Sequence, residues 1–176
     1  MTRIVLVTLS LVGAAFVAVA AADSRTAPLD PQRTSTERQI DFGGFESLAQ
    51  EVRAYRAKRL VSLAKFQAMA SEPKTIVLDA RSAAAFKQGH IDGALNLSLT
   101  DFTAPALAAA IKDPNTRILI YCNNNFENNV APVVLKSAPL SLNIQTFINL
   151  YGYGYRNVYE LGDVVNFDDP AVRWVR

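Results

Sequence analysis

Short apolar runs recur along the chain, and each is separated from the next by a stretch with helical spacing. The clearest runs, 75–79 and 117–121, are continuous and aliphatic, which is typical of strands buried on both faces of a parallel sheet. Weaker runs at 94–97 and 157–161 predict two further strands. This alternation of strands and helices predicts an α/β fold in which right-handed crossovers join parallel strands.

Capping residues and apolar spacing predict the helices between these strands. Ser82 caps a helix that Gly89 is expected to end in the left-handed conformation. Thr103 caps a second helix, over residues 104–112. The apolar stripe of residues 140–151, followed directly by a glycine, predicts a longer amphipathic helix after the third strand.

The N-terminus has the pattern of a targeting segment. Arg3 supplies a positive charge, and the run from Ile4 to Ala22 contains no ionisable group and ends in small residues. Residues 1–22 are therefore predicted to be a secretory signal peptide, and the protein to be periplasmic or secreted, without membrane contact after cleavage. An uncleaved membrane anchor is the alternative, because the run is also long enough to cross a bilayer.

Three segments are predicted to follow the signal peptide. Residues 23–39 are polar and contain two prolines, which is typical of a flexible linker. Residues 40–59 are predicted to form an N-terminal helical extension with apolar positions on one face. The cations at its end, Arg56 among them, are interpreted as a solvated helix end rather than an anion-binding patch. Residues 60–176 are predicted to form one domain.

Composition narrows the classes of function. The formal net charge is +2, from 18 Lys+Arg and 16 Asp+Glu, which gives no concentrated basic surface for nucleic acid. The sequence has a single cysteine, Cys122, and a single histidine, His90. These counts exclude an intramolecular disulfide and a structural zinc site built from Cys and His. No metal and no cofactor are expected.

Cys122 is the strongest candidate for chemistry. It directly follows the strand 117–121, and ligands of open α/β sheets bind beyond the carboxyl ends of the strands. Backbone N–H groups between a strand end and a helix start favour a thiolate. The asparagines that follow tolerate positive φ, so the loop is able to curl into a nest of amides. The alternative is a buried cysteine that acts as a small apolar residue.

Four segments together resemble a rhodanese-like domain. They are Leu-Asp-Ala-Arg at 78–81, the segment 86–96, the strand and cysteine at 118–122, and the segment 154–161. The Gly-His-Ile-x-Gly-Ala pattern within 86–96 lies between the Asp-x-Arg strand and the cysteine strand, which makes the resemblance specific. The resemblance implies a five-stranded parallel sheet flanked by helices, with the first strand and helix within residues 60–70.

The resemblance also implies sulfur transfer through a persulfide on Cys122. The expected function is a periplasmic sulfurtransferase or sulfane-sulfur carrier that acts on a small sulfur-containing donor or acceptor. The alternative is a catalytically silent module that binds a protein or a small polar ligand in the same cleft. The substrate-binding loop is expected to consist of Asn123, Asn124, Asn125, Phe126 and Glu127.

Other residues of the matched motifs are expected to be structural. In the family, the histidine of the Gly-His pattern lies remote from the cysteine and ties the helix to the next strand. Asp79 and Arg81 are interpreted as an ion pair or loop brace beside the pocket. The structural set is Asp79, Arg81, Gly89 and His90.

The cysteine loop departs from the pattern of active relatives. Active sulfurtransferases of this family usually have glycine in this loop and a cation at its end, whereas residues 122–151 lack glycine and Glu127 is an anion. An anion there opposes thiolate formation and repels thiosulfate, which argues against thiosulfate turnover. Asn128 replaces the arginine of Cys-x5-Arg phosphatases and arsenate reductases, which excludes that chemistry.

The segment between the cysteine and the last helix has two open interpretations. It is longer than this fold usually places there, so it forms either a rim beside the cysteine or a surface excursion. The asparagines at 123–129 fit either hydrogen bonding to a polar ligand or turn formation.

Overall fold

The computed structural model describes residues 39–176 of the chain. The predicted signal peptide, 1–22, and all but the last residue of the predicted linker, 23–39, lie outside the described residues. Within the described part, none of the helices combines the length and the apolar character that a membrane crossing requires.

A five-stranded sheet forms the centre of the domain. Its strand order is β1–β6–β5–β2–β4, and every neighbouring pair is parallel. This arrangement confirms the predicted α/β fold with a parallel sheet. Within residues 39–176 the strands are β1 (Leu60–Val61), β2 (Thr75–Asp79), β3 (His90–Ile91), β4 (Ala94–Asn96), β5 (Arg117–Tyr121), β6 (Val158–Leu161) and β7 (Trp174–Val175).

Helices cover the sheet, and four of them begin at a residue whose side chain accepts a hydrogen bond from the first turn. These capping residues are Asp41, Ser62, Ser82 and Thr103. In the described part of the chain the α-helices are α1 (Phe42–Ala57), α2 (Leu63–Ala70), α3 (Ala83–Gln88), α4 (Ala104–Ile111) and α5 (Leu142–Gly152).

The last helix begins later than the apolar stripe predicts. Residues Ala138–Leu140 form a separate 3₁₀ turn that contains a proline in its first positions, and α5 starts only at Leu142. Leu140 is consequently 60% exposed and does not belong to the buried face of α5. The helix therefore begins two residues later than the stripe predicts.

The two faces of β5 are buried under different helices. Ile118 and Ile120 pack in a core with side chains of α1, α4 and α5. Leu119 and Tyr121, which alternate with them, pack on the other face with side chains of α2. Both faces of β5 are therefore covered, and neither face is open to a ligand.

A small antiparallel sheet of β3 and β7 was not predicted. It pairs His90 with Val175 and Ile91 with Trp174, and so holds the end of the chain against Gly89. A Cβ atom on Gly89 would lie 2.5 Å from Trp174 Nε1. Gly89 has φ 163°, which is extended backbone, so the prediction of a left-handed helix end is wrong. Glycine fits this position because the indole approaches the backbone closely.

Candidate functional site

Cys122 lies at the carboxyl end of β5, where the sequence places it. Its side chain is a free thiol and is only 1% exposed. It lines a cavity of about 170 Å³ together with Arg56 of α1, Asn143 of α5 and Glu160 of β6. We call this space the thiol cavity.

The environment of the thiol acts on its pKa in both directions. Burial is the largest influence and raises the pKa of Cys122, and the charge of Glu160 raises it further. The backbone N–H groups of Asn143, Asn124 and Leu142 favour the thiolate and lower the pKa, but the net shift is upward. The sequence led us to expect a stabilised thiolate, and the structure differs because the thiol is enclosed and faces a carboxylate.

A hydrogen-bonded chain connects the thiol cavity to the N-terminal helix. Arg56 binds the two carboxylate oxygens of Glu160, at 2.5 and 2.6 Å. Asn143 Nδ2 lies 3.3 Å from Glu160 Oε1 and 2.9 Å from Asn125 Oδ1, which in turn accepts a bond from the backbone N–H of Cys122 at 2.9 Å. The site therefore contains a cation, but that cation is paired with a carboxylate.

Arg56, Asn143 and Glu160 were not identified from the sequence. The cations at the end of α1 were interpreted as solvated, yet only 28% of the Arg56 side chain is exposed and it pairs with Glu160 across 104 positions. Glu160 did carry a usable signal, because a carboxylate inside an apolar strand is almost never buried without a partner.

The loop asparagines serve mainly to fasten the chain that follows them. Asn123 Nδ2 donates to Val134 O at 2.9 Å, and Asn124 Nδ2 donates to Lys136 O at 2.7 Å. Asn125 Nδ2 donates to Leu161 O at 2.8 Å. The side chains thus hold the long segment after Cys122 against the strand ends, a role that neither sequence interpretation included.

Phe126 and Glu127 lie away from the thiol. Phe126 is fully buried and pairs as an isolated bridge with Val165, and its ring packs 5.1 Å from that of Trp174. Glu127 is exposed, and its backbone N–H donates to Val165 O at 3.0 Å. Neither lines the thiol cavity. The carboxylate that raises the pKa of Cys122 is Glu160, whereas the sequence suggested Glu127 for that role.

Asp79 and Arg81 form a buried brace between neighbouring loops. Arg81 Nη2 lies 2.6 Å from Asp79 Oδ2 and 2.7 Å from Gly89 O, and Tyr121 donates to Asp79 at 2.5 Å. Burial lowers the pKa of Arg81, but the hydrogen bond and charge of Asp79 outweigh it and raise the pKa above its usual value. The ring of His90 stacks on Phe86, and its Nδ1 lies 2.9 Å from Phe86 O.

A larger cavity of about 400 Å³ opens beyond the carboxyl ends of β2 and β5. The chain leaves β2 toward β4 and leaves β5 toward β6, on the opposite side, so the cavity lies at the topological switch point of the sheet. We call it the switch-point cavity. Cys122 is not among its lining residues, which are Ala80, Arg81, Ser82, Ala85, Ser98, Leu99, Thr100, Asn123, Asn124, Lys136, Leu142 and Gln145.

We expect Glu160→Gln to lower the pKa of Cys122. The substitution removes a carboxylate charge that raises this pKa, leaves the Arg56 cation uncompensated beside the thiol, and keeps a side chain able to hydrogen bond. The pKa is measured from thiolate ultraviolet absorbance, with Cys122→Ser as background. Glu127→Gln is the matched control and should leave the pKa unchanged. A larger shift in Glu127→Gln than in Glu160→Gln would contradict this assignment.

Comparison with known proteins agrees with the motifs and the sheet. The family model for the rhodanese-like domain matches residues 62–163, which is more than half of the chain and includes Cys122. A search of curated proteins found no match. Together with the five-stranded parallel sheet, the match establishes that the chain belongs to the rhodanese-like domain family.

Proposed function

We propose that this chain is a rhodanese-like binding module whose ligand occupies the switch-point cavity, and that it is not a thiosulfate sulfurtransferase. The observation that carries the proposal is the enclosure of Cys122, which is 1% exposed and has a raised pKa. A sulfurtransferase needs an accessible thiolate, because the thiolate is the form that attacks a sulfur donor. Thiosulfate is a dianion, and Arg56, the cation that lines the thiol cavity within the described residues, is already paired with Glu160 and is not free to bind it.

The switch-point cavity has the properties of a ligand site. Its volume of about 400 Å³ is within the range of small-molecule pockets, and it combines apolar walls with a few polar groups. Ser82, Ser98 and Thr100 supply hydroxyl groups, and Lys136 supplies a charge. Its place beyond the strand ends is the usual ligand position in open α/β sheets.

A sulfane-sulfur carrier is the second candidate function. The observation that favours it is the set of three backbone N–H groups, from Asn124, Leu142 and Asn143, that act on the sulfur of Cys122. Such donors would stabilise a persulfide anion once it had formed. In that reaction the thiolate attacks a sulfur of a polysulfide, one S–S bond forms, another breaks, and a shortened polysulfide anion leaves. Both proposals include a location in the periplasm, which is the prediction from residues 1–22.

The reactivity of Cys122 separates the two candidates. For a binding module we expect iodoacetamide to modify the folded protein at least about tenfold more slowly than the protein unfolded in urea, because burial withholds the thiolate. Polysulfide should leave the mass of the folded protein unchanged. An adduct of one sulfur atom, about 32 Da, that Cys122→Ser abolishes would contradict the binding module and support the carrier. A sulfurtransferase treated in parallel verifies the donor.

A further inference from the structure

We infer that the switch-point cavity selects small organic anions with a short apolar body, and that Lys136 is the residue that binds the anionic group. This inference rests on the proposed function, because it names the ligand class of the same cavity. The inference also gives a function to the long segment after Cys122, because that segment places Lys136 beside the cavity.

The charges around the cavity favour an anion. Among the residues that the structure describes, no carboxylate lines the cavity. Arg81 also lines it, but that guanidinium is 3% exposed and is bound by Asp79 and Gly89. Lys136 is exposed, and no ion pair of residues 39–176 includes it. Of the two cations that line the cavity within residues 39–176, Lys136 is therefore the one that remains available to a ligand.

The position of Lys136 is fixed by the cysteine loop. The side chain of Asn124 binds the backbone of Lys136 twice, by donating to its carbonyl at 2.7 Å and by accepting from its N–H at 3.2 Å. Asn123 donates to Val134 O at 2.9 Å, two residues earlier. Arg81 Nη1 lies 3.4 Å from the amide oxygen of Asn123. These bonds tie the segment to the strand ends and reduce the entropy that binding would otherwise cost.

The walls of the cavity define the rest of the ligand. Ala85, Leu99 and Leu142 supply apolar surface, while Ser98 and Thr100 place two hydroxyl groups on one side. The hydroxyl oxygens of Ser98 and Thr100 lie 2.9 Å apart, so they bond each other and remain able to accept or donate once more. A cavity with one cation, apolar walls and a volume of about 400 Å³ fits a short-chain monocarboxylate.

The test compares valerate with its neutral analogue valeramide by ¹H–¹⁵N NMR titration of the full chain. We expect valerate to shift the amides of Ser82, Leu99 and Leu142, and to bind at least about tenfold more tightly than valeramide, as the loss of one charge-assisted hydrogen bond predicts. Lys136→Gln should weaken valerate binding about tenfold and leave valeramide binding unchanged.

Two further variants control for charge and folding. Lys136→Arg retains the cation and should keep the preference for valerate. Lys65→Gln removes an exposed lysine of α2 that lines neither cavity, and should bind both probes as the parent chain does.

Each outcome decides a different claim. Equal binding of valerate and valeramide at the cavity amides would overturn the selection of anions and leave the proposed binding module intact. An unchanged preference in Lys136→Gln would overturn the role of Lys136. No shift with either probe would overturn the carboxylate class, while the proposed function is decided separately by the reactivity of Cys122.

Discussion

Phe126→Ala is expected to lower the free energy of unfolding by about 3–5 kcal/mol, the usual cost of removing a buried phenylalanine ring. Phe126 is fully buried, and its ring packs against those of Tyr121, Phe167 and Trp174 at 6.0, 6.3 and 5.1 Å. Removal of a ring from the wall of an open substrate loop would lower the free energy of unfolding by much less. The size of the effect therefore distinguishes a core residue from a loop residue.

Urea unfolding followed by far-ultraviolet circular dichroism measures the effect. Phe45→Ala is the matched control, because Phe45 is 47% exposed on α1 and should cost under about 1 kcal/mol. An equal loss in the free energy of unfolding for the two substitutions would show that Phe126 contributes no more to the core than an exposed phenylalanine does.

Arg81→Ala should be comparably destabilising, by about 3–5 kcal/mol, for an electrostatic reason. Asp79 is fully buried, and its pairing with Arg81 at 2.6 Å compensates its charge. Without the guanidinium, the carboxylate keeps only uncharged donors such as the Tyr121 hydroxyl. The carbonyl of Gly89 also loses its donor. An unpaired buried charge is far more costly than an unpaired exposed one.

A second variant keeps this prediction testable if Arg81→Ala fails to fold. The double variant Asp79→Asn, Arg81→Met removes both charges and should be more stable than Arg81→Ala. Arg173→Ala serves as the control, because the Arg173–Asp92 pair is 52% and 49% exposed and should contribute under about 1 kcal/mol. A double variant that is less stable than Arg81→Ala would show that the hydrogen bonds of the pair matter more than its charge balance.

The strands that carry the site were predictable because their apolar runs are long enough to show their character. β2 and β5 have the bounds predicted from the runs 75–79 and 117–121. The two-residue strands β3 and β7 are too short for any periodicity, and their pairing joins residues more than 80 positions apart. Gly89 illustrates the same limit, since a residue near the end of the chain, Trp174, determines what fits there.

The candidate site, like the fold, was predictable from the sequence only in part. The position of Cys122 follows from the local rule that a residue after a buried strand lies at the carboxyl end of the sheet. Its pKa does not follow, because burial is the largest influence on it, and Glu160 of β6 and Asn143 and Leu142 of α5 meet the thiol only in the folded chain. The asparagine loop was recognisable as unusual, but its bonds to Val134 and Lys136 depend on the path of a segment without secondary-structure periodicity.

The packing of α1 extends the folded domain toward the N-terminus, beyond the region that the family model matches. The family match starts at residue 62, but α1 precedes it and buries Val52 in the core at 1% exposure. Tyr151 of α5 binds Glu51 at 2.6 Å, and Arg56 balances the buried charge of Glu160. A fragment cut at the family boundary would thus lose part of its own interior, together with the counter-ion beside its cysteine. We therefore expect the smallest fragment that folds by itself to begin at or before the capping Asp41, about twenty residues before the region that the family model matches.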